Sequence, residues 1–211
     1  PPFAFSIVLM LLGLGLLTKY FKSPNLKFFL ITTIVFGILL QIKVYAGILS
    51  LCALFIAGIY VYLKERHLQL LKVFGGSLLL SVLLFLPFNK NSTSLLVFQP
   101  FWFLETMMGF ADRLYWPKFF NAMIVYKQTV NLIKGIPAYL VAFAIFWFGN
   151  LGTRVIKEIL VWKWLKNIKK LTFIEVFIIS VIGVGILIPM LYIQKGTPWN
   201  TIQFIYYSFT F

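Results

Sequence analysis

Glu105 and Asp112 are two of only five acidic residues in a chain of 211, and both fall in the stretch NKNSTSLLVFQPFWFLETMMGFADRLYWPKFFNAM. They are seven positions apart, which on a helix would set both on one face, two turns from each other. A positioned carboxylate can take the proton of an attacking hydroxyl or hold a divalent ion, so these two are the candidate catalytic residues. The plainer alternative is that Asp112 pairs with Arg113 or Lys118 while Glu105 is solvated. A second polar interruption is QKGTPWNTIQF, residues 194–204. Here Gly196 can end one helix in a left-handed conformation, Thr197 can cap the next, Pro198 suits its first position, and Trp199 suits a membrane interface. A corner between two helices accounts for all of this. The same corner would also point free N–H groups outward beside Lys195, Asn200 and Gln203, a cradle fit for a lipid phosphate.

These residues must be positioned by apolar elements. Hydrophobic residues make up 61% of the chain and charged ones only 11%, against roughly a quarter in soluble domains, which excludes a water-soluble core. Apolar runs at 3–18, 28–42, 44–63, 73–88, 136–153 and 171–193, with another opening near 198, match the length needed to cross about 30 Å of hydrocarbon. Lipid-exposed backbone has to satisfy its own hydrogen bonds, so each run is expected to be helical, and the fold class is an all-α, polytopic transmembrane bundle of about six spans plus the start of a seventh. Residues 28–63 as one helix would measure about 54 Å, far more than a bilayer needs, so they must fold back beside Lys43, their one interior charge. We read 1–211 as a single transmembrane domain. The chain begins without Met and ends inside an apolar run, so it reads as part of a longer polypeptide.

Net charge is +14, but the basic residues cluster in short gaps between apolar runs, which speaks for membrane topology and against nucleic acid. Lys19, Lys22 and Lys27 fill the first gap, Lys64, Arg66 and Lys72 the third, and Arg154, Lys157, Lys163, Lys166, Lys169 and Lys170 the fifth. Alternating spans put these three connections on one side, the cytoplasmic one by the positive-inside rule. The Lys43 turn, segment 89–135 and stretch 194–200 then face outward. Segment 89–135 is rich in Phe and Trp, and an aromatic belt at the outer headgroup level accounts for this; an aromatic groove for a lipid tail or a sugar face is the sharper alternative. Within it Phe119, Met123, Tyr126, Val130 and Ile133 recur at 4, 3, 4, 3 spacing, which predicts one amphipathic helix on the outer interface. Segment 154–170 reads as a basic interfacial helix on an anionic leaflet or as a solvated connector.

Smaller signals carry less. Lone His67 has no second ligand beside it, and Cys52, the single cysteine, sits in an apolar run as a packing residue. Asn91-Ser92-Thr93 fits the N-glycosylation pattern on an outward loop. Small-residue pairs at helix-contact spacing are Ala53 with Ala57, Ala138 with Ala142, and Gly149 with Thr153.

FGILLQIKVYAGILSLCALFIAG (36–58), FQPFWF (98–103), FGNLGTR (148–154) and KGTPWNTIQFIYY (195–207) resemble stretches of the GT-C superfamily of polytopic bacterial glycosyltransferases. The resemblance covers roughly residues 28–211. It implies transfer of a sugar from a polyprenyl-phosphate carrier, a membrane lipid, to an acceptor on the outer side of a bacterial cytoplasmic membrane. On that reading Lys195, Asn200, Gln203, Trp199 and the helix start at Thr197 meet the carrier. Lys43, with Tyr45 beside it, and Arg113 add positive charge, and Glu105 or Asp112 activates the acceptor or binds a metal. The superfamily's key acidic residue usually follows the first span, which here would lie upstream of residue 1. The alternative is a multi-pass transporter or lipid flippase without transferase activity. That class needs ionisable groups inside the bundle, for which Lys43 and Glu175 are the deep candidates.

Overall fold

The computed structural model describes residues 2–88 and 96–211; the Asn91-Ser92-Thr93 pattern lies outside them. The chain runs α1 (Pro2–Lys22), α2 (Leu26–Ile42), α3 (Val44–Glu65), α4 (Gln69–Phe88), β1 (Leu96–Phe98), α5 (Trp102–Gly109), α6 (Pro117–Gln128), α7 (Leu132–Leu151), α8 (Ile156–Lys166), α9 (Phe173–Leu191), β2 (Tyr192–Gln194) and α10 (Gln203–Thr210). Short 3-10 turns occupy Gly152–Val155, Ile168–Lys170 and Pro198–Ile202. Among the described residues, Pro2–Lys22, Val44–Glu65, Gln69–Pro87, the run Leu132–Lys166 and Phe173–Leu191 are long and apolar enough to cross a membrane, and Leu26–Ile42 is an apolar helix of shorter length. The protein is an all-α, multi-pass integral membrane protein. Its one departure from helix among the described residues is the antiparallel pair β1–β2, three residues each, with Leu96 opposite Gln194 and Phe98 opposite Tyr192.

The chain divides into two compact units: Pro1–Thr93 with Trp164–Ile186 and Gln203–Phe211, and Ser94–Lys163 with Leu187–Ile202. In the first unit α2 lies among α1, α3 and α4. Asn25 caps it, accepting from the Phe28 N–H at 2.9 Å, and the chain breaks at Lys43, whose backbone is extended. The fold-back beside Lys43 is therefore where the length of the apolar run demands it. Apolar attraction between helices is weak in lipid, so close backbone approach and interhelical hydrogen bonds have to supply the packing. At Gly47 a Cβ would come within 2.6 Å of the Leu40 Cα, so only glycine lets the two arms of this hairpin meet. Between α2 and α4 the Ser77 hydroxyl donates to the Thr33 carbonyl at 3.2 Å and the Ser81 hydroxyl to the Gly37 carbonyl at 2.9 Å. Ala53 and Ala57 are buried, as helix-contact residues should be.

The end of α1, the turn after α3 and the residues just before α9 meet at one end of this unit. Phe21, at the end of α1, packs against His67 after α3 and Phe173 at the start of α9, with ring centres 6.2 and 5.1 Å apart. The Tyr60 hydroxyl donates to the carbonyls of Ile168 and Leu171 at 2.9 and 3.0 Å, and the Lys64 ammonium donates to the latter at 3.0 Å. At the start of α9, Glu175 accepts from the backbone and hydroxyl of Thr172 at 2.6 and 2.9 Å, a capping box that gives this acid a local structural role. The N-terminal part of α1 packs on α10 instead, with Ser6 and Tyr207 sharing a buried 2.7 Å hydrogen bond between their hydroxyls.

In the second unit, Ala138 and Ala142 of α7 are buried, but Gly149 and Thr153 are exposed, so that pair makes no helix contact. The last carbonyls of α9 are taken up by the Gln99 N–H, 2.9 Å from the Leu191 oxygen, and the Phe101 N–H, 2.6 Å from that of Met190. The Trp102 indole donates to the Tyr192 carbonyl at 2.8 Å. Trp102 and Phe103 are buried, whereas Phe98, Phe101, Phe110, Tyr115 and Trp116 are exposed. The aromatic-rich segment is thus partly core and partly surface.

Candidate functional site

Glu105 lies in the first turn of the short helix α5, whose neighbours Trp102, Phe103 and Leu104 anchor it in the second unit. Its side chain is 12% exposed, far from the solvated state that a lone surface acid would adopt. The Lys127 ammonium of α6 donates to Glu105 Oε1 at 2.7 Å, and the Tyr139 hydroxyl of α7 donates to the same oxygen at 2.6 Å. Three helices therefore converge on one carboxylate. A carboxylate has about four acceptor positions, so a further hydroxyl can still be received. Lys127 also reaches the Pro100 carbonyl at 3.4 Å.

Beside this group is a cavity of about 380 Å³ lined by Lys127 and Tyr139 and, on its apolar sides, by Phe101, Leu104, Ile136 and Phe143. Two rim positions have backbone that side chains rarely adopt. Phe101 has φ 65° and Val130 φ 52°. For a β-branched residue such as Val130 this is a strained conformation, of the kind that collects at ligand sites.

Asp112 does not share a helical face with Glu105. α5 ends at Gly109, Phe110 is extended, and Asp112 follows in a turn. The Phe120 ring packs against this helix end, where a Cβ at Gly109 would stand 3.0 Å from it. Asp112 is exposed and pairs with Arg113, 3.3 Å from Oδ2 to Nε. The Arg113 guanidinium lies 4.4 Å from the Trp199 ring centre, and Trp199 also meets Trp102 at 5.7 Å. Asp112, Arg113 and Trp199 thus form a second cluster in the same unit. Nor is 119–133 one helix. α6 stops at Gln128, Val130 turns the chain, and Asn131 caps α7 by accepting from the Lys134 N–H at 3.2 Å, so Ile133 belongs to the next helix.

At the 194–204 corner Gly196 has φ 85°, as a turn glycine should. It does not end a helix: α9 stops at Leu191 and β2 intervenes. Pro198 opens a 3-10 turn of five residues rather than an α-helix, the Asn200 N–H is bonded to the Thr197 carbonyl at 3.1 Å, and α10 starts only at Gln203. So short a turn offers no helix N-terminus for a phosphate. Lys195 and Thr197 are exposed, and buried Thr201 braces the corner by accepting from the Gln194 N–H at 2.9 Å. Lys43, Tyr45 and Gln203 belong to the first unit. There the Lys43 ammonium lies 5.2 Å from the Tyr45 ring centre, and Tyr45 meets Phe204 edge-on at 4.9 Å.

Lys127 and Tyr139, the partners of Glu105, were not singled out by sequence. They stand 22 and 34 residues away, beyond any local motif. The one available signal was a scarce acid followed by a lysine on the next amphipathic helix. Among the described residues no three His, Cys, Asp or Glu side chains come together as a metal site would require. Comparison with known proteins returns no match, whether to a protein family, a curated protein or a solved structure.

Proposed function

We propose that this chain is a glycosyltransferase-type membrane protein, of a bacterial cytoplasmic membrane, that transfers a sugar from a polyprenyl-phosphate carrier on the outer side. The observation that supports it best is the Glu105 carboxylate, held by Lys127 and Tyr139 beside an apolar cavity. In the reaction an acceptor hydroxyl attacks the anomeric carbon, its proton passes to Glu105, and the bond from that carbon to the phosphate oxygen breaks, so that polyprenyl phosphate leaves with the electron pair. Glu105 is preferred over Asp112 as the base because it is largely sheltered from solvent, with holders that also line the cavity, whereas Asp112 is exposed and does not line it. Arg113 and Lys195 are the cations of this unit assigned to the carrier phosphate.

The experiment is sugar transfer by the purified chain from a radiolabelled polyprenyl-phosphate sugar. Glu105→Gln, which keeps the shape and loses the base, is expected to lower kcat by about 100-fold or more, the range typical of a lost general base. Wild-type turnover that this change leaves intact removes Glu105 from the chemistry. Carrier-independent solute uptake into proteoliposomes, with no transfer, would instead identify a transporter.

A further inference from the structure

We propose that the cavity of the second unit holds the single hydrocarbon chain of an uncharged, hydroxyl-bearing amphiphile, which is the acceptor in the reaction above. The identification rests on that reading for the word acceptor; the binding site itself does not.

Size comes first. At about 380 Å³ the cavity is at the small end of ligand pockets, which run from roughly 300 to 1,000 Å³, and takes one chain rather than two. Its walls are mostly apolar, with Phe101, Leu104, Ile136, Leu140, Phe143 and Met190 among them. Charge decides the headgroup. Of the polar residues lining the cavity, Lys127 carries the charge; its ammonium and the Tyr139 hydroxyl are already committed to Glu105 Oε1 at 2.7 and 2.6 Å, while Asn131, whose Oδ1 caps α7, and Tyr126 are uncharged. Lys127 and Glu105 cancel. An anionic headgroup would have to take Lys127 away from Glu105 and then sit against the carboxylate, and a cationic one would meet Lys127. A hydroxyl meets neither penalty, since it can accept from the ammonium and donate to the Tyr139 oxygen, which is itself bonded to Glu105. The proton it gives up thereby has a route to Glu105. Among the described residues two of the four non-glycine positions with positive φ, Phe101 and Val130, line this same cavity, where strain fixes the rim.

The test uses the full chain in phosphatidylcholine nanodiscs, without sugar donor, and three diazirine probes: a monoacylglycerol, a free fatty acid and a two-chain phosphatidylcholine. Saturable labelling of residues 132–143 by the monoacylglycerol, competed by the unlabelled lipid, is expected. Gly135→Leu should reduce it by about tenfold. Gly135 is buried and lines the cavity, and a Cβ there would stand 3.7 Å from the Tyr126 Cβ, so a larger side chain can enter the space without striking backbone. Should that variant not elute as a single species, Ile136→Trp reads the same quantity. Equal or stronger labelling by the fatty acid or the phosphatidylcholine, or labelling that the filled cavity leaves unchanged, overturns the proposal. Binding of the probe by a chain that transfers no sugar would contradict the function and leave the site standing. Transfer to a chainless alcohol without any labelling would do the reverse.

Discussion

Replacing Tyr139 with Phe removes one hydroxyl, and with it the 2.6 Å hydrogen bond to Glu105 Oε1, while leaving the ring that packs on Phe101 at 4.9 Å. A hydrogen bond to a charged group contributes roughly 1.5–3 kcal/mol in soluble proteins, but hydrogen bonds inside membrane bundles average about 0.6 kcal/mol. Glu105 is only 12% exposed and would retain Lys127, so water can replace little of what is lost. We therefore expect a cost of about 1–2 kcal/mol. Lys127→Met removes the ion pair instead, but Lys127 is 40% exposed, and solvent screening limits its share to about 1 kcal/mol or less. The expected order is thus Tyr139→Phe more damaging than Lys127→Met, with a non-additive double variant because both partners share one oxygen. Denaturant unfolding in detergent micelles, followed by tryptophan fluorescence, measures all three. A Tyr139→Phe cost below a few tenths of a kcal/mol, or strict additivity, would refute the claim that this carboxylate is organised from two sides.

Three further outcomes follow from the packing. Gly47→Ala drives a methyl into the Leu40 backbone, and should cost about 1–3 kcal/mol or prevent folding, whereas Gly37→Ala meets side-chain atoms of Leu80, from Cβ at 3.0 Å to Cδ2 at 2.7 Å, and no backbone, and should cost less; equal thermal shifts would count against the hairpin geometry. Val130→Gly relieves the left-handed conformation, worth about 1–2 kcal/mol, at an entropic cost of roughly 0.5–1 kcal/mol, so a small net rise in Tm is expected and a fall would show that φ is not positive there. Tyr207→Phe should cost about 1 kcal/mol, because Ser6 keeps its 2.6 Å bond to the Phe3 carbonyl; a loss of several kcal/mol would mean that Tyr207 has a further partner.

What was legible in the sequence was whatever the bilayer dictates locally. An apolar run of about 54 Å cannot stay straight, and the break falls at Lys43. Phe21, His67, Lys64, Leu171 and Phe173 gather at one end of the first unit, while the side of the membrane that the basic gaps occupy is an expectation from their lysines. The α6–α7 boundary was hidden because Val130 is apolar and keeps the helical spacing, while Asn131, its real signal, reads equally well as a polar face. Glu105 and Asp112 looked paired because helical spacing says nothing about a helix that stops at Gly109. Of the site, the acid was visible and its holders were not, since Lys127 and Tyr139 reach it only through the packing of α5, α6 and α7. The corner at 194–204 held the expected turn glycine, but the pairing of β1 with β2, three residues each, had no periodicity strong enough to announce it.

Both the transfer and the acceptor site require the Glu105 unit to work from the outer side of the membrane, with the lysine-bearing connections inside. Impermeant-maleimide labelling of single cysteines in a Cys52→Ser background tests this most directly, at Lys195→Cys and Lys166→Cys, both exposed positions. Position 195 is expected to label in intact cells and position 166 only after permeabilisation. Labelling of position 166 in intact cells, with position 195 protected, would contradict it.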